Sequence, residues 1–209
     1  MKNLDIDNWK RRDIYNFFKN FDDPFFGITT NIDCTNALLV SKNENISIFL
    51  VYLYASLKSA NQIENFRFRV VEDSVRVYDV VHASPTINRD NGAFGFGYIN
   101  YYPEFNVFYK NARTEIERVQ AAKELVPSNN NADVIHYSTI PWVTFTGLKH
   151  AVHNAQKDSI PKITFGKIFK QDNRYLLPTS LHANHALMDG YHAGLFFEHF
   201  QDLMADFKL

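Results

Sequence analysis

Residues 175–184 read as a strand, and a short loop then passes into a helical pattern in which Phe196, Phe200, Leu203 and Phe207 recur at spacings of three and four. A strand that feeds a helix through so short a loop holds the loop on two rigid elements, so one side chain can be presented in a fixed position. The loop contains His185, three spacers, Asp189 and Gly190. Three explanations fit these residue types. Asp189 can be the N-cap of the last helix with His185 a satisfied loop histidine. His182, His185 and Asp189 can be metal ligands, although His182 and His185 lie an odd number of positions apart beside a strand and so point to opposite faces. His185 can also be a general base, with Asp189 accepting hydrogen bonds from its neighbours and Gly190 permitting a tight turn.

The rest of the chain supplies a sheet and its covering helices. Residues 7–12 open a helix with Asp7 or Asn8 as its cap; Ile14, Phe17, Phe18 and Phe21 follow at i, i+3, i+4 and i+7, and Pro24 closes the segment. That spacing by itself describes a surface helix with one apolar face and solvated arginines. Residues 25–33 read as a strand and 35–40 as a short helix. Residues 48–60, apolar nearly all round, read as a helix covered on most sides. Residues 66–70 and 75–80 alternate about a Glu72-Asp73-Ser74 turn, a hairpin whose arginines are expected on a wet face. Residues 84–92 read as a loop opened by Ser-Pro. Glycine alternates with aromatics from 93 to 98, which describes either a plain aromatic strand or one whose glycines mark the close approach of a ligand or another backbone. A helix is expected from Pro103 to about Leu125, and a surface loop over 127–131. Residues 134–139 form a strand running into 140–145. Lys149, His150 and His153 fall in a less regular polar stretch. Residues 162–169 and 175–184 form a second hairpin about Gln171-Asp172-Asn173, and its second strand delivers His185.

No Gly/Ser/Pro-rich linker divides the 209 residues, so one domain spanning 1–209 is expected, with a mixed sheet covered by helices, α+β or α/β. The formal net charge of -1 gives no reason to expect nucleic acid or an acidic membrane as partner. The nineteen phenylalanines and eleven tyrosines are enough to build a core and line an aromatic pocket as well. The lone Cys34 excludes an intrachain disulfide and suits a reducing compartment. With no apolar signal core at the N-terminus and no apolar run long enough to span a bilayer, a soluble cytoplasmic protein is expected.

The stretch Asn184-His185-Ala186-Leu187-Met188-Asp189-Gly190-Tyr191-His192 resembles the active-site signature of the chloramphenicol acetyltransferases. More loosely it resembles the His-xxx-Asp-Gly acyltransferases that use coenzyme A thioesters. Two further stretches agree: Trp9-Lys10-Arg11-Arg12 near the N-terminus, and Ser138 followed three residues later by Pro141-Trp142-Val143. The resemblance runs from Trp9 to the last helix and implies the two-layer α/β sandwich of coenzyme A-dependent acyltransferases. It also implies direct acetyl transfer from acetyl-CoA to the primary hydroxyl of chloramphenicol, with no metal. His185 would deprotonate that hydroxyl, since an imidazole is largely neutral near neutral pH. Ser138 would donate to the oxyanion, Thr164 would hold a water near it, and Arg11 would pair with Asp189 to fix the loop. Phe17, Phe18, Phe26, Phe94 and Leu148 fall at acceptor-lining positions, and each has ordinary core packing as its plain alternative. Lys167 falls beside coenzyme A. The family assembles as a homotrimer with each active site between two subunits.

Four positions depart from the family pattern. Asn184 replaces the first of two adjacent histidines, and Met188 a cysteine. Lys162 stands where an apolar residue is common beside the acceptor, and Ile168 replaces a tyrosine that packs on adenine. The first two leave the base intact; the others bear on acceptor preference and coenzyme affinity. The alternatives are an acyl-CoA transferase of the same fold with another hydroxyl or thiol acceptor, or a non-catalytic binding protein that kept the fold.

Overall fold

The chain runs through β1 (Lys2–Asn3), α1 (Arg12–Phe18), β2 (Phe25–Asp33), α2 (Thr35–Asn43), α3 (Ile48–Asn61), β3 (Phe68–Val71), β4 (Ser74–Val77), β5 (His82–Asn88), β6 (Phe94–Phe96), α4 (Phe105–Ala121), β7 (Val134–Thr139), β8 (Lys162–Phe165), β9 (Phe169–Gln171), β10 (Arg174–Asn184) and α5 (Gly190–Ala205). The computed structural model describes residues 1–72, 74–125, 131–151, 155 and 158–209. The expected 127–131 loop, apart from Asn131, lies outside the described residues, as do Asp73 and His153.

Among the described residues the main sheet has the order β2-β10-β8-β7-β5-β6, with β9 paired to β10. It is mixed: β10 runs antiparallel to β2 and β8, while β8, β7 and β5 are mutually parallel. Side chains alternate across a sheet, so the register sorts its two faces. Leu177, Leu181 and Ala183 of β10, Ile163 and Phe165 of β8, and Ile135 and Tyr137 of β7 join the core cluster that also holds Leu50, Leu53, Phe196 and Phe200. That face is covered by α3 and α5, which makes the architecture a two-layer α/β sandwich. The residues between them, His136, Ser138, Lys162, Thr164, Ser180 and His182, lie on the opposite face. The helix expected over 48–60 is buried on most sides, as its lack of a polar stripe requires. Each large apolar side chain placed in this core contributes about 2 kcal/mol by leaving water.

The expected first hairpin forms between β3 and β4 and takes β1 as a third strand. Its arginines do not share a wet face. Arg69 is fully buried, and its guanidinium donates to the carbonyls of Phe66, Phe68, Ala132 and Val134 at 2.5–2.9 Å. Alternation placed Arg69 on the polar side of a hairpin; the start of β7 then packs against that side and supplies the acceptors. Burial pulls the Arg69 guanidinium down to about 10, so it stays charged at neutral pH.

Two further expectations are corrected. Residues 84–88 belong to β5 and not to a loop: Pro85, which has no N–H to give, sits where the β5–β7 ladder ends, and its carbonyl accepts from Gly97 N–H at 2.9 Å. Neither Asp7 nor Asn8 caps α1, which begins after Arg11; Asp5 instead accepts from the Asn8 side chain at 2.8 Å in the turn ahead of it. Tyr15 is the buried residue of α1, while Ile14, Phe17 and Phe21 are 37%, 65% and 41% exposed. Their spacing describes a stripe, and within one chain that stripe stays partly exposed.

Candidate active site

The last residue of β10, Asn184, shapes the loop that follows. Its side-chain Oδ1 accepts from Ala186 N–H at 2.9 Å, and its carbonyl accepts from Leu187 and Met188 N–H at 3.0 and 3.1 Å. Its Nδ2 donates to the Asp158 carbonyl at 3.1 Å. His185 N–H donates to the Pro24 carbonyl at 2.8 Å, which ties the loop to the segment entering β2. Leu187 and Met188 are buried, so the turn is anchored by apolar contact as well. An asparagine two residues ahead of an N–H is a turn-forming type, so this role was readable in the sequence but was passed over. The His185 ring lies in an aromatic slot, parallel to Phe18 at 4.1 Å between centroids and tilted against Phe26 at 4.8 Å. Among the described residues its buried Nδ1 has no hydrogen-bond partner.

Asp189 is both an N-cap and half of an ion pair. Oδ1 accepts from Tyr191 N–H at 3.1 Å, capping α5, and lies 2.8 Å from His192 Nδ1. Oδ2 accepts from Arg11 Nη1 at 2.6 Å. Burial works against the Asp189 charge, but the bonds from Arg11 and His192 outweigh it and hold the carboxyl down to about 2. Burial in turn lowers the His192 pKa. Arg11 is the cation of this group, and His192 Nδ1 lies between the Asp189 carboxylate and the Asp189 N–H, which points at it from 3.3 Å.

Ser138, Thr164 and Ser180 occupy the same register level on β7, β8 and β10, forming a row of hydroxyls on the face away from α3 and α5. Thr164 is fully buried, and its Oγ1 lies 3.0 Å from His150 Nε2. His150 thus has a definite partner in this row, which the irregular sequence around it did not reveal. Its ring packs edge-on against His182 at 5.0 Å. Burial, with the charges of His182 and Lys162 nearby, pushes His150 down to about 4. Burial and Lys162 do the same to His136. Within one chain Ser138 and His185 do not meet. Two strand spacings and five residues of β10 separate them, on the order of 20 Å.

The other expected positions divide into groups. Phe17, Phe18 and Phe26 gather near His185, with Phe17 on Phe18 at 5.0 Å. Leu148 lines a separate cavity of about 320 Å³ with Gly27, His150, Lys162 and His182. Phe94, 43% exposed on β6, lies at the opposite edge of the sheet from β2. Lys167 is exposed, and its N–H donates to the Val143 carbonyl at 2.9 Å, beside the Pro141-Trp142 turn. A larger cavity of about 510 Å³ opens next to Thr139 and Pro141, with Phe49, Tyr52, Ile87 and Arg113 in its walls. Among the described residues no three histidines, cysteines or acids group as metal ligands, and no helix is long and apolar enough to cross a membrane.

A family model described as chloramphenicol acetyltransferase matches residues 1–201. The chloramphenicol acetyltransferase of Clostridium butyricum is 31% identical over 212 residues, covering 98% of this chain and 95% of that protein. That of Clostridium perfringens is 30% identical over 208 residues, covering 98% and 95%. A solved chloramphenicol acetyltransferase superposes with a TM-score of 0.87 at 29% identity, over 96% of this chain and 98% of the other. The dihydrolipoamide acetyltransferase of Azotobacter vinelandii shares the fold, with a TM-score of 0.69 at 16% identity over 93% and 86%.

Proposed function

The chain belongs to the chloramphenicol acetyltransferase family, and on that premise we propose that it transfers the acetyl group of acetyl-CoA to the primary hydroxyl of chloramphenicol, inactivating the antibiotic. It is an acyltransferase. His185 takes the hydroxyl proton as the alcohol oxygen attacks the thioester carbonyl carbon. Ser138 donates its hydroxyl hydrogen to the oxyanion of the tetrahedral intermediate, and Thr164 steadies a water beside it. The intermediate collapses with cleavage of the carbon–sulfur bond, and the proton passes from His185 to the departing sulfur. Asp189 and Arg11 position the loop and touch neither substrate.

The observation that carries this reading is the Arg11–Asp189 pair at 2.6 Å behind a turn that holds His185 between Phe18 and Phe26. The base is thereby preoriented, the condition under which an imidazole is worth most to a proton transfer. The separation of Ser138 from His185 within one chain supports a site assembled between subunits, with the signature histidine of one copy facing the hydroxyl row of the next, and so a homotrimer. The exposed Ile14, Phe17 and Phe21 suit such an interface. Lys167, exposed beside the Pro141-Trp142 turn that follows Ser138, is the position expected to meet coenzyme A. A cytoplasmic location follows from the need for acetyl-CoA.

The test is release of coenzyme A thiol from acetyl-CoA, with and without chloramphenicol. The native chain should show acceptor-dependent release. His185→Ala should lose on the order of a hundredfold or more of it. Release from the native chain that is indifferent to chloramphenicol and to His185 would overturn the proposal.

A further inference from the structure

The loop that carries His185 is held by an ion pair at each end. Arg11 and Asp189 close it on the α5 side. On the β10 side the pair is Lys162 and Asp158, with Nζ 2.5 Å from Oδ2. Lys162 is 7% exposed, and an ammonium buried to that degree persists only with partners. Besides Asp158 it donates to the Ile160 carbonyl at 3.3 Å, and it lies over the Phe25 ring at 4.2 Å from the centroid. Among the described residues three neighbours thus take up an ammonium that has three N–H donors. Although Lys162 lines the cavity of about 320 Å³, its charge is committed to the protein and not to a guest.

Asp158 is fixed by side chain and backbone alike. Oδ2 faces Lys162, Oδ1 accepts from Ile160 N–H at 2.9 Å, and its carbonyl accepts from Asn184 Nδ2 at 3.1 Å. Asn184 is 3% exposed, and Oδ1 at the other end of its amide accepts from Ala186 N–H at 2.9 Å. One planar group therefore bridges residue 158 to the turn, and its donor and acceptor ends are not interchangeable. A second route leads through Phe25. It pairs with Asn184 across the β2–β10 ladder and follows Pro24, whose carbonyl accepts from His185 N–H at 2.8 Å. Both routes start at Lys162 and end on backbone N–H groups of the His185 turn. Lys162 and Asn184 are two of the four positions that depart from the family pattern, and Asp158 joins them.

We propose that Lys162 is a positioning residue for His185, acting through Asp158 and Asn184, so that the two departures form one device that aims the base. The inference rests on the reading of His185 as the general base. Lys162 itself touches no reacting atom and moves no proton. A base misplaced by about 1 Å loses on the order of a hundredfold in rate, so a loosened turn shows in kcat before it shows in binding.

Steady-state thiol release from acetyl-CoA with chloramphenicol, measured on the full chain together with each unfolding midpoint, tests this. Lys162→Met should lower kcat about tenfold and change the KM for chloramphenicol by less than about twofold. Lys162→Arg, which can still pair with Asp158, should keep most of the native kcat. Asn184→Ala should lower kcat as well, and adding Lys162→Met to it should cost little more, because both changes break one chain of contacts. If Lys162→Met does not fold, Asp158→Asn replaces it: that change leaves the carbonyl on Asn184 and removes the ion pair. If Asn184→Ala does not fold, the contrast of Lys162→Met with Lys162→Arg decides. A rise in the KM for chloramphenicol at native kcat, no recovery in Lys162→Arg, or losses that multiply in the double variant overturn the inference and leave the base reading standing. Native-level thiol release that survives His185→Ala overturns both.

Discussion

The ring of Phe18 lies parallel to the imidazole of His185, with 7° between their planes and 4.1 Å between their centroids. Phe18 comes from a helix at one end of the chain and His185 from a loop near the other. Stacking fixes the plane of the imidazole without taking either of its nitrogens, so orientation is supplied and hydrogen-bonding capacity is kept.

Phe18→Ala should therefore leave the fold intact and release that plane. We expect kcat to fall by about tenfold, with a smaller change in the KM for acetyl-CoA. Steady-state kinetics check this, and Phe18→Tyr should behave like the native chain.

The Arg11–Asp189 pair ties stability to acid pH. The Asp189 carboxyl is held at about 2 against an ordinary 3.8, so its contribution is complete above the ordinary value and disappears as pH falls toward 2. Arg11 and His192 share this shift, and after solvent screening the part due to Arg11 is about 1 kcal/mol. Arg11→Leu should show less stability at pH 7 than the native chain and should lose that difference near pH 2. Urea unfolding at the two pH values measures it.

In the proposed site Ser138 and His185 come from different copies. Ser138→Ala should cost on the order of a hundredfold in kcat. Mixing and refolding Ser138→Ala with His185→Ala should then restore activity at roughly a quarter of the sites, because random assembly pairs an intact histidine with an intact serine that often. A site contained in one chain would stay silent in the mixture. Light scattering on the native protein should report three chains.

Arg69 is a buried cation with four carbonyl acceptors. Arg69→Met should strand those carbonyls and destabilise the protein by about 3 kcal/mol. Denaturant melts measure the loss. The attachment of the small sheet to the start of β7 loosens with it, so activity should fall through Ser138.

The strand leading to His185, the helix leaving it and the buried helix at 48–60 were legible because each shows one period over its whole length. The aspartate cap of the last helix was legible from residue type and position. Arg69 and His150 were not, since both look like ordinary polar residues until a distant segment packs on them: the start of β7 against Arg69, and the β8 hydroxyl of Thr164 against His150. Residues 84–88 misled because Ser-Pro signals a turn locally, whereas the absent N–H can be lodged at the end of a ladder. The apolar stripe of α1 was read correctly as a stripe, and its exposure came as news.

Composition and periodicity alone determined a mixed sheet covered by helices, and local chemistry determined a histidine loop ahead of a capped helix, because both depend on residues close in sequence. Which side chains stand together was decided only by the tertiary structure. Arg11 reaches Asp189 across 178 positions, and His150, Lys162 and His182 meet on one sheet face, through strand register and long-range packing that no local pattern encodes.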